Sequence, residues 1–486
     1  MIKRFLVSAL AVAAVGAGAH AQTADNAIVN ILDGAAPGSV TVAGITVYGS
    51  FDVGGVYQSH AERSIPGSFY ASAEYAISKN AGASSWDKQN NALSTSTLGI
   101  KGTQSLRDLS GLDSLKGWSI GFDLQSGFDP LYGAVADVCK TISRNNGLTA
   151  GAAILTQTAL ADGSRCGQIF NGEAYGSLKN DVLGELRFGR QNTLLLTSLA
   201  AYDPTPGSYA FSLFGYFGGF GGGGGNTEDA RWNNSLKYTN TIGPVRVGAM
   251  YRFDGGGQGG DAWSVGAGVD ATGPLKGLSI DGVYAKFNAG IGASQLSSGN
   301  CTSAGFSSIA ACENSTVLNG TIADTEAWAI MGKYAFGNAT IMGGYQHIAW
   351  NNPSETLTNL NTIGGYTLFA AGLNTTQYQT ERDNDIYWIG GKYAFTPKLI
   401  GTAAYYRLDQ NSWIAKAGAC NNLKGVAASP NCAGSMNFYS ITADYQATKR
   451  MDLYAGVSWS DVSDGLASGF ANTNIFNFAF GTRFRF

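Results

Sequence analysis

The chain has 486 residues, and its composition excludes most classes of protein. Only 13% of residues are charged and 68 are glycine, against about 25% charged and about 7% glycine in soluble domains. The net charge of −3 is too mild and too dispersed to imply a nucleic-acid partner, and past the N-terminus there is no run of about 18 apolar residues to make a transmembrane helix. Aromatics reach 12%, which argues against disorder. What remains is a large β-rich protein in which polar and apolar residues are finely interleaved.

The first predicted element is a secretory signal over 1–21. Lys3 and Arg4 form its positive end, Phe5 to Ala19 its apolar core, and Ala19-His20-Ala21 a small-x-small cleavage site before Gln22. Residues 22–43 read as a short periplasmic segment ahead of the first strand. From there the chain shows no long helical period. Strand-like stretches recur instead, with apolar positions alternating with small or polar ones. They fall at 44–58, 92–104, 116–129, 168–179, 181–190, 231–240, 243–254, 262–272, 276–289, 326–336, 338–350, 384–395, 398–409, 436–447, 451–462 and 474–486, sixteen in all.

The last stretch shows the pattern best. Phe476, Phe478, Phe480, Phe484 and Phe486 share one face with Thr482, opposite Asn477, Ala479, Gly481, Arg483 and Arg485. A continuous Phe face with arginine behind it suits a strand with lipid on one side and water on the other. Connections after odd-numbered strands are mostly long, and those after even-numbered strands are short. That asymmetry predicts an all-β, sixteen-stranded antiparallel transmembrane barrel over 44–486, with external loops at one end and periplasmic turns at the other. Gly332-Lys333-Tyr334-Ala335-Phe336 recurs as Gly391-Lys392-Tyr393-Ala394-Phe395, each just before a short turn. Rings at that depth suit the membrane–water boundary.

Six cysteines, Cys139, Cys166, Cys301, Cys312, Cys420 and Cys432, all lie in long connections on one side. Locality favours the pairs 139–166, 301–312 and 420–432, and an exported chain crosses an oxidising compartment. No CxxC occurs and no histidine lies near them, so neither zinc nor any other cofactor is expected.

At several points in order the chain resembles the Gram-negative general porins, most closely the trimeric sixteen-stranded branch of β-proteobacteria. Val47-Tyr48-Gly49-Ser50-Phe51-Asp52 resembles the opening V/L-Y-G-x-x-D. Leu98-Gly99-Ile100-Lys101-Gly102-Thr103 resembles L-G-F-K-G-T, and Phe122 to Phe128 resembles F-x-L-E-S-G-F. Phe188-Gly189-Arg190-Gln191 resembles L-G-R-Q, which opens the family's third loop. Arg231 with Asn234-Ser235-Leu236-Lys237-Tyr238 resembles R-x-x-N-S-V-K-Y, which closes it. Thr448 to Ala455 resembles S-K-R-T-D-L-Y-A, and terminal Phe486 resembles the signal read by outer-membrane assembly machinery. Three positions depart from the pattern: Thr97 and Gly172 stand where the family has arginine, and Gln125 where it has an acid.

The resemblance implies an outer-membrane homotrimer through which small hydrophilic solutes and ions diffuse. It also implies that the third loop, 191–230, folds into the barrel and narrows it. The loop's apolar character agrees, since Leu194-Leu195-Leu196 and the tract from Tyr209 to Gly225 would sit poorly in water. Such packing would leave Asp203, Glu228 and Asp229 toward the lumen. Arg190 and Arg231 bracket the loop, and Lys101, Lys237, Arg252, Arg246 and Arg483 fall on the inward parity of their strands. Opposed acids and bases across a constriction would set selectivity through a transverse field. With two family arginines missing, anion preference is expected to be weak or absent. A substrate-specific pore, for sugars on the loop aromatics or for an anion such as phosphate on a basic ladder, stays open as an alternative, and a closed surface-structural or adhesin barrel is a further one. No catalytic group is expected: beyond the signal, histidine is confined to His60 and His347, neither within an acid–nucleophile motif. Gly218–Gly225 lacks the G-K-[ST] ending of a phosphate loop.

Overall fold

The computed structural model describes residues 39–42, 44–60, 84–137, 139–140, 166–216, 230–254, 259–294, 296, 298–308, 311–312, 314–355, 362–413, 432–467 and 472–486. Sixteen strands of seven to twenty residues form the wall. They are β1 (Ile45–Gln58), β2 (Thr97–Ser105), β3 (Trp118–Asp129), β4 (Ala174–Asn180), β5 (Gly184–Asn192) and β6 (Arg231–Ile242). Then come β7 (Val245–Arg252), β8 (Ala262–Asp270), β9 (Leu278–Ser294), β10 (Val317–Phe336) and β11 (Ala339–Asn351). The last five are β12 (Arg382–Thr396), β13 (Leu399–Gln410), β14 (Gly434–Gln446), β15 (Met451–Val462) and β16 (Asn474–Arg485).

Each strand pairs antiparallel with its neighbours in sequence. β16 closes the ring on β1, from Ser50↔Arg485 to Gln58↔Asn477. Closure leaves no edge strand, the condition for a sheet to stand in lipid. The C-terminus completes the seam, because Phe486 and Gly49 exchange both backbone hydrogen bonds, at 2.9 and 3.1 Å.

Alternation decides the two faces. In β16, Asn477 and Ala479 are fully buried, while Phe476 and Phe484 are about two-fifths exposed on the outer face. Outward rings form two girdles. Near the short turns, Tyr334 packs on Phe336, Tyr393 on Phe395 and Phe484 on Phe486. Near the long loops, Trp263–Tyr284, Trp328–Tyr345–Tyr387, Tyr405–Tyr439–Trp459 and Tyr57–Trp86 form the other. His347 lies in this outer band, with Nδ1 2.9 Å from Asp385.

Several details depart from the sequence reading. A strand over Ser39–Val42 folds back on β1, so the sheet begins within the segment assigned to the periplasm. The stretch expected at 92–104 becomes a strand only from Thr97, because residues before it turn inward. β10 starts nine residues earlier than expected, at Val317, because its first residues pair in parallel with a further strand, Tyr366–Asn374. That extension belongs to a cap of external loops with its own apolar core, in which the Cys139–Cys166 disulfide packs with Ile291, Leu318, Ile322 and Tyr366. Cys301–Cys312 is the second bridge. Cys432 is also disulfide-bonded, and Cys420 lies outside the described residues.

Candidate functional site

The third loop enters the barrel. It begins with a helix, Leu194–Tyr202, capped by Thr193, whose hydroxyl accepts from Leu196 N at 3.0 Å. The helix ends where Asp203 takes an extended conformation before Pro204, a position that disfavours helix. Leu194, Leu195, Leu199 and Tyr202 are buried against the inner wall. Glycine makes room for them. A Cβ at Gly248 would meet Leu194 at 2.8 Å, one at Gly390 would meet Pro204 at 2.5 Å, and one at Gly456 would meet Phe211 at 2.7 Å. These inward glycines of β7, β12 and β15 are sockets for the loop.

Polar contacts then fix its course. The Tyr202 hydroxyl lies 2.6 Å from Ser279 Oγ and donates to Asp281 at 3.0 Å. Trp388 Nε1 donates to the Tyr202 carbonyl at 3.0 Å, and Lys333 Nζ to the Ala201 carbonyl at 3.3 Å. The lysine thus places its charge at the helix C-terminus, where the helix dipole favours it. Phe214 packs edge-on against Trp388 and Tyr406, and Ser440 Oγ donates to the Phe211 carbonyl at 2.7 Å. The loop therefore covers the inner wall from β7 to β15.

The sequence-nominated residues divide into groups. Asp203 does not face the lumen. It is 1% exposed, and its carboxylate accepts from Tyr406 Oη, Thr205 N (3.0 Å), Gly207 N (2.7 Å) and Ser212 Oγ (2.6 Å). An acid expected to work on solutes is instead the knot that shapes the loop. Glu228, Asp229 and the glycine run 218–225 lie outside the described residues.

Arg190, Arg231, Lys237 and Arg252 are all buried. Arg190 donates to the Gly172 and Asn171 carbonyls at 3.0 and 2.7 Å and to Asn233 at 2.5 Å. Arg231 stands opposite Asn192 at the root of the loop. Lys237 donates to the Asn192 carbonyl at 2.9 Å. Arg252 donates to the Gly260 carbonyl and lies over Phe287. These cations brace the root of the loop and the ends of β5 to β7, because backbone carbonyls there need donors. Lys101, on β2, is exposed and lies 4.9 Å over the Tyr48 ring.

Other groups line the open space. Arg246 bridges Asp270 and Asp281 and reaches the Tyr202 hydroxyl. Arg187 pairs with Glu185 at 2.7 Å and lies over Tyr175. Arg483 and Arg485 share Asp452 at 2.6 and 2.7 Å. A cavity of ≈ 530 Å³ between the helix and β4–β9 is lined by Lys179, Lys237 and Arg246 against Asp181, Glu185 and Asp281. Among the described residues, these cations and anions pair with neighbours on the same wall. Arg187, Lys333 and the glycine sockets were missed from sequence. Their signal was inward parity, which the strand pattern already supplied.

A closed antiparallel barrel with an apolar outer face, two aromatic girdles and a charged lumen narrowed by an infolded loop defines a transmembrane channel. A sequence model of the Gram-negative porin family matches residues 8–465, and the chain belongs to that family, the channel-forming barrels of the outer membrane. No curated protein matches it by sequence. Among solved structures it is similar to the anion-selective porin from Comamonas acidovorans, with a TM-score of 0.56 and 16% identity over 91% of this chain and 99% of that one. It is also similar to OmpT of Vibrio cholerae, with a TM-score of 0.50 and 13% identity over 92% and 99%. The outer membrane channel DcaP of Acinetobacter baumannii gives a TM-score of 0.50 and 10% identity over 92% and 99%. At these identities the likeness is one of fold.

Proposed function

We propose that this porin passes small hydrophilic solutes and ions with weak charge selectivity and does no chemistry on them. The observation that carries the selectivity is the pairing of lumen charges. The cavity beside the third loop has three basic and three acidic side chains, and Arg187, Arg246 and Arg483 of the wall are held in ion pairs. Paired charges produce little net field across the lumen. The anion selectivity of the Comamonas porin is therefore not carried over to this chain. Phe211 and Phe214 are buried against the wall, so these loop aromatics are unavailable as a sugar-binding surface. Arg190, Arg231, Lys237 and Arg252 act as braces of the constriction rather than as contacts for solutes.

The assembly we infer is a homotrimer. β2, β4 and β5 carry no outward Tyr or Trp, and β3 carries only Trp118 at its turn end. Their outer face presents Leu98, Ile100, Ile120, Phe122, Leu186 and Phe188 instead. A face without interfacial aromatics fits contact with a second copy better than contact with lipid. In this reading 1–21 is removed on export, 22–38 lies in the periplasm, and Phe486 is read by the assembly machinery.

Planar-bilayer recording under a KCl gradient tests the proposal. Discrete channels with a reversal potential near zero are expected. A potential near the chloride limit would overturn weak selectivity, and absence of conductance would overturn permeation itself.

A further inference from the structure

The wall of the barrel is interrupted beside β1. That strand pairs with two segments laid end to end: Ser85–Asn90 opposite Val53–Gln58, and β2 opposite Ile45–Ser50. Asn90 stands across from Val53 and Thr97 across from Ser50. Residues 91–96 therefore occupy the place opposite Phe51 and Asp52 alone. An ordinary bulge adds about one residue, so this is an excursion out of the wall.

The excursion is fastened at every step. Asn91 takes a left-handed φ of 58°, and its N–H donates to the Asp52 carbonyl at 2.9 Å. Ser96 N donates to Asn91 Oδ1 at 2.7 Å, and Ser96 Oγ accepts from Asp52 N at 2.9 Å. Asp52 is fully buried, and its carboxylate accepts from Leu93 N (2.8 Å), Ser94 N (2.7 Å) and the Tyr454 hydroxyl (2.5 Å). Lumen-facing Arg483 reaches Ser94 Oγ at 3.5 Å, which puts the excursion on the water side of the wall.

The far end of the third loop lands on this segment. The Ala92 carbonyl accepts from Ser208 Oγ at 2.7 Å and from Ala210 N at 3.0 Å, and Thr95 Oγ1 lies 2.9 Å from the Tyr209 hydroxyl. Leu93 packs on the apolar cluster that contains Phe211 and Leu213. The loop is thus rooted at β5 and β6 and supported across the lumen by residues 91–96.

We infer that residues 91–96 form a second element of the channel's narrow section, and that Asp52 is a positioning residue for permeation, holding the excursion that supports the third loop. The inference rests on the permeation reading above. Its physical basis is the cost of orphaned donors: without the Asp52 carboxylate, Leu93 N, Ser94 N and Tyr454 Oη lose their acceptor in an enclosed place. The excursion then swings free, and the loop loses its far support.

The test uses the full-length folded protein in planar bilayers, with single-channel conductance and polyethylene glycols of graded size as the sieve. Asp52→Ala is expected to raise conductance by about 1.5-fold and to admit larger polymers. Ser208→Ala/Tyr209→Phe removes both side-chain ties and leaves Asp52 and the backbone bond from Ala210 N to the Ala92 carbonyl in place. It should give the same phenotype, and Asp52→Ala added to it should add little, a coupling that a merely structural role would not produce. If Asp52→Ala does not fold, the loop double variant carries the test by itself. Unchanged conductance and size limit in a folded variant would overturn the inference alone. A wild type that conducts nothing would overturn it together with the permeation reading.

Discussion

The two sides of this barrel use the same alternating pattern for different ends. On the side of β2–β5 three of the four strands are short, seven residues in β4 and nine in β2 and β5, while β3 has twelve. Their outer face is aliphatic and Phe-rich, and inside, Lys101 lies over Tyr48 of β1 and Arg187 over Tyr175. On the side of β10–β15 the strands reach twenty residues in β10 and fifteen in β12. Their outer face carries both girdles, and their inner face lies beneath the third loop. Alternation specifies only that two faces differ. The neighbour of each face, whether lipid, protein, loop or water, follows from where the strand stands in the ring.

This contrast breaks most sharply with one charge on each outer face. Phe122→Arg, on the short side, should abolish the trimer while the monomeric barrel survives, because the charge would be buried between copies without a partner. Unheated gels and size-exclusion chromatography read that outcome. A trimer that persists would move the interface elsewhere.

Loosening the inner face of the tall side is the next largest effect. Asp203→Ala strands the donors of Tyr406, Thr205, Gly207 and Ser212, at about 1–3 kcal/mol for a buried group left without its partner. Channel recordings should show larger and noisier conductance, and quiet wild-type currents would show that the loop is held by other means.

Ile389→Arg, on the lipid face of the tall side, should leave the trimer intact and lower the unfolding free energy by about 2–4 kcal/mol. Denaturant titration measures it. An effect on the trimer rather than on the barrel would reverse the two assignments.

The smallest effect is expected from reduction. The Cys139–Cys166 and Cys301–Cys312 bridges lie in connections between strands, and each closes a loop packed in its own apolar cluster at the external end of the barrel. Dithiothreitol should increase proteolysis of the external loops and leave the folded gel band in place.

Much of this molecule was legible in one dimension. β16 could be read because each Phe meets lipid and each Arg meets water, so period two records the two solvents directly. The sixteen strands and the alternation of long and short connections follow from the same local rule. So does the Tyr and Phe pair ahead of two turns, since interfacial depth is set by distance from the strand end.

The constriction was not legible in that way. The motifs around Arg190 and Arg231 marked the right loop, yet the tertiary contacts gave its residues other work. Asp203 turned from solute contact to structural knot because Tyr406, some two hundred positions later, brings a hydroxyl to it. The break at residues 91–96 was read in sequence as the start of a strand, since Ala92 and Leu93 open a stretch that runs on into Leu98 and Ile100. It is held by the buried Asp52 carboxylate, which accepts from Leu93 N and Ser94 N. Sequence by itself determined the barrel, because each strand needs only its own two faces. The tertiary structure decided the pore, because its shape depends on hydrogen bonds between segments that only ring closure brings together.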